Sequence, residues 1–309
     1  MAVDEAILDG YAYGEAGSNP TLRLYSWRPA TLSLGRSQQA VSSCDPRFLR
    51  EQAIGLVRRP TGGRAVLHEA ERTYALIGHL DVAPFAGGVL AAYRSIASAL
   101  VSGLRGLGVD AGAGSSRARA PSPRDRSVGP ACFDAPSAHE ILAGTRKLVG
   151  SAQLRRGRAF LQHGSILLAS DPERLSRAVG AEAAPGRFTD LTRLLGRRVD
   201  PREVDRALIA SWSESFGARL EPGELTPEER HRATKLRCWK YSSAAWTMQG
   251  RLGRREERWA QSSQTTRAGC PSTPFHSVTS KRVASQGGEG CAGSAATTRS
   301  GTETTPSGE

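Results

Sequence analysis

The large apolar residues of this 309-residue chain all but stop at residue 251. Leu, Ile and Val run through residues 1–250. Residues 252–309 offer only Leu252, Trp259, Phe275, Val278 and Val283, and nearly half of that stretch is Ser, Thr or Gly. Ordering a residue costs roughly 1–2 kcal/mol of backbone entropy, which a segment with so little to bury cannot offset. One folded unit is therefore expected over 1–251, followed by a disordered tail over 252–309. Some 250 residues suffice for one large domain with its own core.

Within that unit, short strands alternate with a few strong helices. Strands are expected at Leu22–Trp27, Thr31–Leu34, 56–59, Arg64–Leu67 and Thr73–Ile77. Three more, His139–Leu142, Lys147–Leu154 and Ala159–Leu168, are joined at Gly144-Thr145 and Arg156-Gly157 as an antiparallel meander. The strongest helix is 88–107, where Val89, Tyr93, Ile96, Leu100, Leu104 and Leu107 form one stripe and Gly108 supplies the stop. Asp45 and Pro46 open a short helix running to Ile54. Further helices are expected at about 172–179, 188–195, 201–216 and 227–237. The last opens on Thr226-Pro227-Glu228-Glu229, a capping box. The fold class expected is α/β (α+β), a mainly antiparallel sheet with helices on one side.

Charge and cysteine usage narrow the function classes. Forty-two Lys and Arg against 30 Asp and Glu leave +12, a field that draws acidic partners, although solvated arginines are the simpler source of most of it. Nucleic acid is not expected, because aromatics are 6 % of the chain and do not interleave with the arginines. Five cysteines, widely spaced and never Cys-x-x-Cys, argue against a disulfide framework or zinc ribbon and suit a reducing cytoplasm. No apolar run is long enough to span a membrane, and the first residues are acidic where a signal peptide is basic. His68 and His139 stand too far apart in sequence to suggest a metal.

Two stretches carry candidate chemistry. Cys132 lies in Ala131-Cys132-Phe133-Asp134-Ala135-Pro136-Ser137, and Lys147 follows in Arg146-Lys147-Leu148-Val149-Gly150-Ser151-Ala152-Gln153. A thiolate is the reactive form of cysteine, and a nearby ammonium favours it. Spacing alone does not bring the two together, and a lone cysteine is more often an inert small hydrophobe, the reading given to Cys44, Cys238, Cys270 and Cys291. The second stretch is Arg58-Arg59-Pro60-Thr61-Gly62-Gly63-Arg64-Ala65-Val66-Leu67-His68-Glu69. Two arginines beside a glycine turn suit an anionic or strongly dipolar donor; a plain hairpin with solvated arginines is the default for the same residues. Between these stretches, 111–130 reads as a basic loop with Arg117, Arg119, Arg124 and Arg126, either a linker or a dock for an acidic carrier protein.

The combination resembles one superfamily. Arg58–Glu69 is similar to the glycine-rich signature of the lipoate and biotin protein ligases. Cys-Phe-Asp-x-Pro-Ser at 132–137, Arg-Lys-Leu-x-Gly-Ser-Ala-Gln at 146–153 and Gln162-His163-Gly164-Ser165 narrow it to the LipM-type octanoyltransferases. Tyr25-x-Trp27, Ser33-x-Gly35-Arg36-x-Gln38 and Lys240-Tyr241-Ser242-Ser243-x-x-Trp246 extend the match over about 1–251. The resemblance implies a biotin/lipoate ligase-like catalytic domain that moves an octanoyl group from octanoyl-acyl carrier protein to a lysine of a lipoyl domain, either the glycine cleavage H protein or a dehydrogenase E2. In it, Cys132 takes the acyl group as a thioester, and Lys147 lowers the thiol pKa and contacts the acyl carbonyl. Arg58, Arg59, Gly62, Gly63, Arg64, His68, Gly150, Ser151, Ala152, Gln153, His163 and Gly164 form the substrate site, with no cofactor and no metal. The chain begins where such enzymes usually have a preceding strand, so a missing first strand is expected. Two alternatives stay open: an ATP-dependent lipoate ligase, and an inactive member that only binds lipoyl domains or carrier protein.

Overall fold

The computed structural model describes residues 1–14, 19–114, 140–182 and 186–253, together with the backbone of 279–284. It opens with helix α1 (Ala2–Ala12), which buries Asp4, Glu5 and Asp9 along with Ile7 and Leu8. Because charged and apolar residues are both inward, no single stripe marks this helix in the sequence. Strands β1 (Thr21–Tyr25) and β2 (Thr31–Leu34) follow. Helix α2 (Pro46–Glu51) starts at Asp45, whose carboxylate accepts from the amides of Arg47 and Phe48, a cap worth about 1 kcal/mol.

Strands β3 (Gly55–Arg58), β4 (Val66–His68) and β5 (Glu71–His79) lead to helix α3 (Val89–Gly106). Then come β6 (Ala111–Ala113), β7 (Ile141–Ala143), β8 (Arg146–Arg156) and β9 (Ala159–Leu167). The helices α4 (Pro172–Val179), α5 (Leu191–Leu195) and α6 (Pro201–Phe216) precede β10 (Arg219–Gly223). Helix α7 (Pro227–Leu236) has the expected capping box between Thr226 and Glu229. After it come α8 (Ala244–Gln249) and strand β11 (Thr279–Ala284).

Eight strands form one sheet in the order β10-β11-β1-β5-β9-β8-β7-β6, and every neighbouring pair in it is antiparallel. A second sheet, β3-β2-β4, mixes one parallel and one antiparallel pair. Alternation along β5 decides how the large sheet is covered. Tyr74 and Leu76 face a core with Ile96, Leu100 and Leu104 of α3 and Leu208 and Trp212 of α6. Ala75 and Ile77 face a different core with Ile7 and Leu8 of α1 and Ala233 and Leu236 of α7. Helices therefore cover both faces of the sheet, not the one side expected. Successive residues of a strand point to opposite faces, and both faces of β5 are apolar.

Other expectations also give way. The helix expected over 188–195 begins only at Leu191, because Phe188 instead bridges in parallel to Lys147 of β8. Within the tail, Thr279–Ala284 pairs with both β1 and β10, where composition predicts no regular structure. A sheet gap flanked by two strands supplies backbone partners that composition does not record. Cys238 is disulfide-bonded, whereas Cys44 is free and buried. Wide spacing argues against a framework of bridges but does not exclude one. Most of the basic loop 111–130, and Cys132 with it, lies outside the described residues. Among the described residues, no helix is long and apolar enough to cross a membrane.

Candidate active site

The turn after β3 and the middle of the large sheet build one cleft. Gly63, at φ +90°, lies so close to Gly35 that a Cβ on Gly35 would sit 1.8 Å from the Gly63 carbonyl oxygen. The two glycines thus let the end of β2 and the 59–65 turn share one position. On the sheet side, strand register brings two sequence motifs face to face. Gly150 pairs with Ser165, Ser151 with Gly164, Ala152 with His163 and Gln153 with Gln162. Gly164 is required there, since a Cβ would lie 2.6 Å from both the Gly150 oxygen and Tyr74 Cε1.

The resulting cavity of about 40 Å³ is lined by Arg59, Gly63, His68, Gly150, Ser151, Ala152, His163 and Gly164, with Met1, Ser33, Val66, Thr73 and Ser165 completing it. Eight of the expected residues thus meet in one place. Gly62, Arg64 and Gln153 stand beside the cleft without lining it, and Gln153 donates to Gln162 Oε1 at 3.0 Å. A larger cavity of about 260 Å³ opens between Leu67, Leu167, Leu175 and Phe188 and contains none of the expected residues.

The two arginines do not behave as the sequence suggests. Arg58 is fully buried and does not line the cleft. Its guanidinium donates to the carbonyls of Gly35 and Gln38 at 2.7 Å and to those of Trp246 and Thr247 at 3.0 Å. A cation at the last carbonyls of α8 also complements the helix dipole. Arg59 reaches the cleft, but its donors serve the carbonyls of Ser33, Gly62 and Arg64 and the Ser33 hydroxyl. Through these bonds both guanidiniums hold the turn in shape.

Lys147 lies on β8, 2 % exposed, with its ammonium paired to the Glu140 carboxylate. Its backbone is gripped on both sides: its amide donates to Arg187 O and its carbonyl accepts from Thr189 N, each at 2.9 Å. An ion pair this deep is costly to break, about 3–5 kcal/mol when one partner is removed. Glu140 is a residue that the sequence reading misses, and seven residues across a hairpin is no signal for a pair.

The two cleft histidines have different surroundings. His163 Nε2 is 2.6 Å from Thr61 Oγ1, and burial above all pushes its pKa down to about 3. His68 Nε2 is 2.8 Å from Ser33 Oγ, its Nδ1 is 3.5 Å from Glu71 Oε1, and its ring stacks on Trp27 at 4.4 Å. Glu71 also accepts from Thr73 Oγ1 and Ser165 Oγ, both at 2.8 Å. Ser151 is held by Tyr74 at 2.7 Å, whose phenol burial pushes up to about 12. Ser33, Glu71 and Tyr74 were also not legible, because their partners come from other strands.

This arrangement has known counterparts. Residues 1–213 match the lipoyl protein ligase A/B catalytic domain. An octanoyltransferase LipM from Kyrpidia tusciae is 43 % identical over 262 residues, covering 80 % of this chain and 92 % of that protein. The Bacillus subtilis octanoyltransferase LipM is 37 % identical over 262 residues with the same coverage. Among solved structures, a lipoate-protein ligase A bound with ATP superposes with TM-score 0.67 at 29 % identity, covering 80 % of this chain and 92 % of that one. A putative lipoate protein ligase from T. acidophilum with bound lipoic acid gives TM-score 0.65, also at 29 % identity, with the same coverage. The match over residues 1–213 takes in every residue of the cleft, and the chain belongs to the lipoyl protein ligase A/B catalytic-domain family, within it to the LipM-type octanoyltransferases.

Proposed function

We propose that this acyltransferase moves an octanoyl group from octanoyl-acyl carrier protein to a lysine of a lipoyl-domain protein, through a thioester on Cys132. In the first half, the Cys132 thiolate attacks the donor carbonyl, the donor C–S bond breaks and the carrier thiol leaves. In the second, the acceptor amine attacks the enzyme thioester, its C–S bond breaks and an amide forms. A thioester is already activated, so neither half needs ATP. The acceptor is the glycine cleavage H protein or a dehydrogenase E2 domain, and the catalytic unit is 1–251.

The observation that carries this reading is the set of eight motif residues converging on one cleft, with Lys147 buried and fixed on the strand that supplies three of them. In that setting Lys147 favours the Cys132 thiolate and polarises the acyl carbonyl. The cavity is small beside an octanoyl chain, so the chain's entry requires the cleft to widen.

Incubation with octanoyl-carrier protein and no acceptor is expected to leave an octanoyl adduct on Cys132 that hydroxylamine removes. Cys132→Ser abolishes transfer, because a serine hydroxyl is scarcely ionised at neutral pH. Full activity of Cys132→Ser together with a strict need for ATP and free acid would instead establish a ligase. Binding of lipoyl domain with no transfer under either condition would mark an inactive binder.

A further inference from the structure

Val41 is the most exposed large apolar side chain among the described residues, at 88 %, and Met248 is another, at 38 %. Their segments meet from distant parts of the chain. Val41 lies on the one-turn 3-10 helix Ala40–Ser42, which packs against α8, and Met248 lies on α8 itself. Arg58 ties the two segments together from beneath. Its one guanidinium holds the carbonyls of Gly35, Arg36 and Gln38 and also those of Trp246, Thr247 and Met248. Gly250 closes the junction, since a Cβ there would lie 2.9 Å from the Arg36 carbonyl oxygen.

The same junction is basic. Arg36 and Arg251 are both exposed. The Arg36 guanidinium lies 4.5 Å from the Trp246 ring centre, and Arg251 donates to Gln249 Oε1 at 3.1 Å. Arg58 adds a third positive charge, buried just below. Among the described residues, none of these three arginines pairs with a carboxylate. Lys240, which also lies over the Trp246 ring, is by contrast neutralised by Glu5. An apolar pair set among unneutralised cations suits an acidic protein with an apolar contact of its own. The apolar groups gain from leaving water, while the charges select and steer the partner.

We infer that this junction docks the acidic carrier protein that brings the octanoyl group. It abuts the wall of the cleft without lining it. The Arg36 amide donates to Thr61 O at 2.8 Å, and Gly35 stands against Gly63, which lines the cleft. A donor thioester hangs on a long prosthetic arm, so its protein can sit to one side and still deliver the acyl group. An acceptor lysine has only its four-carbon stem, so its protein has to dock over the mouth of the cleft. The sideways offset therefore assigns the junction to the donor. Val41 and Met248 form the apolar contact, and Arg36 and Arg251 guide the approach.

This inference rests on the carrier-protein reading of the donor, and a second donor tests the two apart. Transfer to apo lipoyl domain is measured on the full-length protein with octanoyl-carrier protein or with octanoyl-N-acetylcysteamine, a thioester with no protein attached. Arg36→Glu and Arg251→Glu are expected to raise KM for octanoyl-carrier protein about tenfold, and Val41→Glu about threefold, with kcat within about twofold of wild type. With the small thioester all three variants should match the wild type. Added salt should raise the wild-type KM for the carrier protein more than that of the arginine variants. Arg206→Glu makes the same charge change on an exposed face of α6, which packs against α3, and should leave that KM unchanged. A KM for the carrier protein within about twofold of wild type in all three variants overturns the inference. So does an equal rise in Arg206→Glu, which would mark the overall charge, or an equal loss with the small thioester, which would mark a damaged cleft. A rise in KM for the lipoyl domain alone overturns it too, because the acceptor would then occupy the junction. If the wild type transfers from the small thioester and not from the carrier protein, the carrier-protein reading fails and this inference with it.

Discussion

His163 and His68 share one cleft, yet their surroundings differ. His163 is 4 % exposed and hydrogen-bonded to Thr61, and burial opposes its charging, so its folded pKa of about 3 lies below the ordinary 6.5. Below pH 6.5 the unfolded chain binds a proton here that the folded chain does not. The stabilising contribution is therefore complete above pH 6.5 and is lost progressively as pH falls toward 3. A single such group costs about 1.4 kcal/mol per pH unit in that window. His163→Gln is expected to recover about 2 kcal/mol of the stability lost between pH 7 and pH 5, read by urea denaturation at the two values. An unchanged pH slope would show that another group titrates in its place. Arg58 makes the complementary point: a guanidinium that looks like an anion ligand in the sequence is used on six backbone carbonyls, those of Gly35, Arg36, Gln38, Trp246, Thr247 and Met248.

Between elements, the site depends on how closely β8, β9 and β5 approach. Gly164 sits where β9 passes the Gly150 carbonyl, the Tyr74 ring and the Ser151 hydroxyl. Gly164→Ala puts a methyl group inside all three contacts. Destabilisation of roughly 1–3 kcal/mol is expected from the overpacking, with a drop in octanoyl transfer larger than the loss of folded protein explains, because Ser151 and Tyr74 must shift. Thermal melting and transfer rate measured on the same sample check this. An alanine variant with wild-type melting and rate would mean that the strands part without cost. The Gly62-Gly63 turn is legible as a turn because glycines mark one. Its closeness to Gly35 is not, since two loops 27 residues apart meet only through the β2–β3 pairing.

At the scale of the molecule, the large sheet takes a strand from the chain's far end. β11 fills the place between β1 and β10, pairing with Leu22–Leu24 on one side and Leu220–Pro222 on the other. Removing residues 254–309 strips β1 of a neighbour and detaches β10. A cost of about 2 kcal/mol is expected, or some 4–8 °C in melting temperature for a domain of this size. Removing only 285–309 is expected to leave the melting temperature where it was, because that segment holds no large apolar residue. Equal melting of both truncations and the full chain would show that β11 adds nothing to the sheet. Lys147 on β8 and Glu140 just before β7 lie toward the other end of the sheet, so the loss of β11 should spare acyl loading more than stability.

The sequence by itself determined the helix of 89–106 through its apolar stripe, the capped starts at Asp45 and Thr226, and the meander of β7, β8 and β9. These follow from local periodicity and local hydrogen bonding, which neighbours in the chain supply. It also identified eight residues of the cleft, but only by the resemblance of their motifs, since nothing in spacing brings Arg59 to His163. Tertiary structure alone decided that both faces of β5 are buried, that Arg58 serves carbonyls, that Glu140 accompanies Lys147 and that His68 stands between Ser33 and Glu71. Each of these is a choice of partner for a polar group or a strand edge. Such choices depend on which distant segment arrives within about 3 Å, a matter of sheet order and register that no stretch of chain encodes on its own.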